Sequence, residues 1–90
     1  MYQLHYTTKF KKDFKVISKR NYDLQLLKQI IDLLTENGTV PEKYQPHRLS
    51  GNYAGDMECH IKPDWILIWT IDEINNEIWL IRTGTHSDLF

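Results

Sequence analysis

One cysteine in 90 residues, Cys59, excludes an internal disulfide framework and any zinc site built on several thiolates. Long apolar runs are missing too. Nothing approaches the roughly 20 residues of a membrane-spanning helix, and no charged-then-apolar leader opens the sequence. A protein with no membrane partner, working in a reducing cytoplasm, is the expectation. A strong charge of one sign is also absent: Lys and Arg number 11 against 12 Asp and Glu, a formal net charge of −1. Such a balance argues against affinity that rests only on neutralising phosphates. Internal repeats, low-complexity tracts and interdomain linkers are lacking, so a single domain over residues 1–90 is expected. That length suffices to bury a core without staples.

The charge that is present is unevenly placed. Lys9, Lys11, Lys12, Lys15, Lys19 and Arg20 crowd the first quarter, whereas Asp72, Glu73 and Glu77 lie late. Tyr2 to Thr7 alternates like a half-buried strand, with His5 on its polar side. Thr7 or Thr8 can cap a following helix, in which Phe10, Phe14 and Ile17 recur at helical intervals with lysines opposite. A second helix, starting near Tyr22-Asp23, carries Leu24, Leu27, Ile31 and Leu34 on one stripe and ends at Asn37-Gly38. Two amphipathic helices with so short a connection form an antiparallel pair whose apolar face needs a sheet.

The later half supplies that sheet. Thr39 to Ser50 reads as a connector holding His47 and Arg48. Met57, Cys59 and Ile61 then alternate with Glu58 and His60, which puts His60 on the face away from the first set. Pro63 has no amide donor and drives its predecessor into extended geometry, so Lys62-Pro63-Asp64 is a turn. Trp65 to Trp69 is a continuous apolar run, the mark of a central strand buried on both faces. Residues 72–77 form a loop, Ile78 to Thr83 another strand, and Gly84 breaks the pattern. The fold class is therefore α+β: an N-terminal strand and a two-helix hairpin packed on a mostly antiparallel sheet of four to five strands.

If the late strands form a meander, His86 emerges where Asp64 begins, and His60 ends beside it. Histidine, with a reference pKa of roughly 6.5, both accepts and donates protons near neutrality. His47, His60, Asp64 and His86 thus make an acid–base set sufficient to cleave RNA without metal or other cofactor. One group removes the 2′-hydroxyl proton and another protonates the departing 5′-oxygen, leaving a 2′,3′-cyclic phosphate and a 5′-hydroxyl. Arg48 and Arg82 are candidate cations for the phosphate, and Phe90 could stack a base. Three histidines and an aspartate are also a zinc-ligand set, but no HExxH or similar compact motif supports that reading. Taken singly, each residue has a plainer use: Asp64 to close its turn, Phe90 to pin the chain end, Cys59 as packing.

Taken together, three runs resemble the YafQ family of the RelE/ParE toxin superfamily: His47-Arg48-Leu49-Ser50-Gly51-Asn52-Tyr53, Glu58 to Ile68, and Arg82-Thr83-Gly84-Thr85-His86-Ser87-Asp88-Leu89-Phe90. The combination HxLxG, HxxPDW and RTGTHxxLF is specific, and the likeness spans essentially the whole chain. It implies a RelE/ParE-like fold and the toxin of a type II toxin–antitoxin pair. That toxin would be a ribosome-dependent endoribonuclease cutting mRNA in the decoding site and masked by a cognate antitoxin. Carried over, it implies His47, His60, Asp64 and His86 as catalytic. Which is base and which acid does not follow from the likeness; our assignment is Asp64 or His86 as base and His60 or His47 as acid or phosphate stabiliser. The likeness further implies that Phe90 helps hold the message, with Trp65 supporting the site; Arg48, Arg82 and Glu58 are the other RNA-binding candidates. The near-neutral charge departs from the usual basic family pattern. So do Asp56 and Met57, which stand where an aromatic-arginine pair commonly precedes the acidic residue at 58. The alternatives are a ParE-like toxin that binds gyrase, or an inactive module that only binds antitoxin.

Overall fold

Thr7 ends the first strand and starts the first helix, because its hydroxyl accepts the Phe10 amide at 3.0 Å while its own backbone stays extended. In a computed structural model describing residues 1–90, β1 is Gln3–Tyr6 and α1 is Thr8–Lys19. Asp23 caps α2, Leu24–Asn37, through the Gln25 amide. Gly38 closes it at a φ of 75°, a left-handed position that glycine takes without a Cβ penalty. Short 3-10 turns at Glu42–Tyr44 and Gly51–Tyr53 flank β2, His47–Arg48. There follow β3 (Met57–Lys62), β4 (Trp65–Asp72), β5 (Glu77–Gly84) and a single-turn helix α3, His86–Leu89.

The five strands lie in the order β1-β5-β4-β3-β2. All pairings are antiparallel except β1 with β5, which is parallel. The apolar run on β4 is the centre of the sheet, and Trp65 to Trp69 are all buried, as both-face burial requires. One face carries Cys59, Ile61, Leu67, Trp69, Ile78 and Leu80 against Phe10 and Ile17 of α1 and Leu27, Ile30 and Leu34 of α2. Trp65 belongs to this core, packed edge-on to Tyr22 at 4.8 Å between ring centres. Its indole donates to the Thr83 hydroxyl at 2.9 Å, and that hydroxyl donates to the Ile66 carbonyl at 2.8 Å. Both polar groups are thereby satisfied inside the core.

Three sequence expectations change. His47 and Arg48 form an edge strand on β3 rather than part of a loop, which makes the sheet five-stranded. The helical face is not fully covered by the sheet. Phe14 stays 38% exposed, along a groove between the helices lined by Leu4, Phe10, Leu24, Leu27 and Ile31. Finally, residues after Gly84 form α3, closed by a capping box in which Thr85 and Asp88 exchange side-chain and backbone hydrogen bonds.

Candidate active site

The candidate side chains gather on the second face of the sheet. Partners across a sheet point the same way, so the register His47–Glu58–Ile68–Arg82 forms one row and His60–Ile66–Gly84 the next. Leu89 of α3 packs onto Ile66 and Ile68, with Leu49 and Tyr53 around it. Side chains from an edge strand, a hairpin end and a C-terminal turn therefore share one small apolar floor.

The two-residue turn at Pro63 and Asp64 delivers the carboxylate. Asp64 Oδ1 accepts the His86 backbone amide at 3.1 Å and lies 2.8 Å from His86 Nδ1. Hydrogen bonding from the His86 side chain, then from its amide, holds the Asp64 carboxyl below the usual carboxylate range. It stays ionised at neutral pH. With Nδ1 taken by a carboxylate, the His86 tautomer that satisfies this contact leaves Nε2 as an acceptor. His60 lies between its neighbours, its ring centre 5.7 Å from that of His86 and 6.3 Å from that of His47. Its Nδ1 is 3.3 Å from the Pro63 carbonyl, so Nε2 faces inward. The Phe90 ring stands 6.3 Å from that of His86 and edge-on to Tyr53, and it is 62% exposed.

Glu58 is the buried member, at 4% exposure. Its carboxylate meets His47 Nε2 at 2.9 Å and approaches His60 Nε2 at 3.9 Å. His47 Nδ1 also lies 2.9 Å from the Gln45 carbonyl, so both of its nitrogens face oxygen acceptors. Glu58 thus orients two imidazoles from beneath and is too enclosed to grip a nucleotide itself. That differs from the RNA-contact role expected of it. The two arginines are also placed otherwise than expected. Arg82 is bound to Asp13 of α1 at 2.6 and 3.0 Å and reaches the Tyr53 hydroxyl at 3.4 Å, so its charge is already committed. Arg48 shares its row with Met57 and therefore lies on the opposite face from His47. His5 stands apart, bonded to Glu77 at 2.9 Å and stacked on Trp79.

Cys59 is fully buried, and that burial, reinforced by the Glu58 charge, pushes its thiol up to about 12. A thiolate nucleophile is excluded at neutral pH. One ligand atom each from Glu58, His60 and His86 lie within 4.8 Å of one another, so these three could hold a metal ion. No helix is long and apolar enough to cross a membrane.

Sequence reasoning missed Tyr53, Arg20 and Asp88. Tyr53 donates to the Leu89 carbonyl at 3.2 Å and braces Phe90, a role for which periodicity carries no signal. Asp88 was detectable: Thr85-His86-Ser87-Asp88 has the spacing of a capping box. Arg20 was not, because its partner lies 68 residues away.

Fold and cluster together define a small α+β protein with three imidazoles and two carboxylates gathered on one face of a five-stranded sheet. The family model described as the bacterial toxin of type II toxin–antitoxin systems, YafQ, matches residues 2–90, and the chain belongs to that family. It is 36% identical over 88 residues to the mRNA interferase toxin YafQ of Escherichia coli K12, covering 97% of this chain and 94% of that protein. Two solved structures extend the likeness. A metal-bound toxin from Helicobacter pylori superposes with a TM-score of 0.91 at 37% identity, covering 100% of both chains. The toxin of the E. coli DinJ-YafQ complex gives 0.89 at 35% identity, covering 100% of this chain and 99% of that one.

Proposed function

We propose that this protein is an mRNA interferase, the toxin of a type II toxin–antitoxin pair, and that it cuts message on the ribosome by metal-independent acid–base chemistry. The observation that carries the reading is the run of three imidazoles, His47, His60 and His86, ending on a carboxylate at 2.8 Å. Asp64 orients His86 so that Nε2 takes the proton from the ribose 2′-hydroxyl. His60, held between the Pro63 carbonyl and Glu58, returns a proton to the departing 5′-oxygen. His47, bonded to Glu58 and to the Gln45 carbonyl, holds the Glu58 carboxylate beneath His60, whose N–H steadies the phosphate as the new bond forms. Phe90 offers its open face to a neighbouring base.

Ribosome dependence fits the distribution of charge. His86 and Asp64 are more than half exposed, an open arrangement that suits a strand presented by a larger body. Lys9, Lys11, Lys12, Lys15 and Lys19 are exposed along α1 and suit a ribosomal RNA surface despite the near-neutral total. The partner expected to mask the toxin is a cognate antitoxin, as DinJ is for YafQ in E. coli.

Mapping cut messages after induction, with translating ribosomes and with ribosomes blocked before initiation, tests this reading. Cuts at a fixed codon position that vanish when initiation is blocked are the expected result. Growth arrest with intact messages would instead indicate a toxin acting by binding, such as one directed at gyrase.

A further inference from the structure

We propose that Arg20 is a positioning residue for cleavage: through a two-pronged contact with Asp88 it clasps the one-turn helix α3 and so keeps His86 and Phe90 in register with Asp64. The proposal rests on the acid–base reading above, but its structural part can be tested without it.

The need for a clasp follows from the size of α3. A helix of four residues has little intrinsic stability, since nucleation costs more than one turn returns. Yet this turn starts with one catalytic candidate and is followed directly by the base-stacking Phe90. Leu89 anchors its apolar side, and the capping box closes its first turn. Neither ties it to the helical layer. Arg20 does: Nη1 donates to Asp88 Oδ2 at 2.7 Å and Nη2 to Oδ1 at 3.1 Å, the fork geometry that suits guanidinium and carboxylate. Arg20 is the C-terminal cap of α1, so one end of a rigid helix fixes the tip of the chain.

Asp88 is a junction. Its Oδ2 also accepts the Thr85 amide at 2.9 Å, one residue before the His86 amide that donates to Asp64. A Cβ at Gly84 would come within 2.8 Å of that same oxygen, so the backbone there is shaped to admit the carboxylate. The Arg20 side chain is 41% exposed, and removing it leaves no buried group unpaired.

The test combines amide exchange with single-turnover cleavage on programmed ribosomes, using Arg20→Ala, Arg20→Lys, Asp88→Ala and the double variant Arg20→Ala/Asp88→Ala. Lys28→Ala, which breaks the exposed pair with Asp32, is the surface control. Arg20→Ala is expected to melt like the control and to lose exchange protection at the His86, Leu89 and Phe90 amides. Its kcat should fall roughly 10- to 100-fold, the scale of a misplacement of about 1 Å at a reacting group, with little change in KM. Arg20→Lys, a cation without the fork, should recover part of the rate. In the Asp88→Ala background the Arg20 change should have no further effect. Full protection in Arg20→Ala, or an undiminished Arg20 effect once Asp88 is gone, would overturn the clasp. Should the wild-type protein cut no message, the reading of function fails, and the exchange data alone then decide whether Arg20 holds α3.

Discussion

Alanine at His86 is expected to lower the rate of message cleavage about 10²- to 10⁴-fold, the usual contribution of a positioned acid or base. Stability should hardly change. The side chain is 52% exposed and its one polar partner, Asp64, is more exposed still, so the substitution opens no cavity and buries no charge. Single-turnover rates beside thermal melts of the same samples check both halves. His5→Ala is the matched control, because that histidine sits on the β1–β5 side with Glu77 and Trp79, away from the cluster. A His86→Ala protein that cleaves at nearly the wild-type rate would remove this imidazole from the chemistry.

Trp65→Ala is expected to cost about 3–5 kcal/mol of folding stability, as truncation of a buried aromatic does. For a domain with roughly 5–15 kcal/mol in total, that empties much of the folded state. The ring is 2% exposed and fills the space between Tyr22 and the start of β4. Trp65→Phe keeps most of the packing but leaves the Thr83 hydroxyl without its donor, for a loss on the scale of one unsatisfied buried group, about 1–3 kcal/mol. Urea unfolding of the variants measures this directly. Activity should decline in step with the folded fraction, since Trp65 faces the helical core. An unchanged urea midpoint with abolished cleavage would instead make Trp65 a substrate contact.

Much of this was legible in the residues, for identifiable reasons. Pro63 cannot sit inside a ladder, so the turn that delivers Asp64 was fixed locally, and the run from Trp65 to Trp69 could only be a strand covered on both faces. Antiparallel succession then brought His86 back to Asp64. What the sequence hid were relations between distant positions. Alternation places Glu58 on the face opposite Met57, Cys59 and Ile61 but says nothing of its cover, which β2 and His47 supply. Arg82 looked like a free cation, but Asp13, 69 residues earlier, already holds it. A two-residue edge strand gives too short a pattern for alternation to register, which is why His47 and Arg48 read as loop.

The products of cleavage test the central idea most directly: that imidazoles and a carboxylate, without a metal, pass a proton out of and back into the ribose-phosphate. Purified protein and programmed ribosomes, with transition metals removed by chelation, should give fragments ending in a 2′,3′-cyclic phosphate and a 5′-hydroxyl at an undiminished rate. Activity that disappears on chelation and returns with zinc, or fragments bearing 5′-phosphates, would contradict it. Either result would move the chemistry to an ion held by Glu58, His60 and His86.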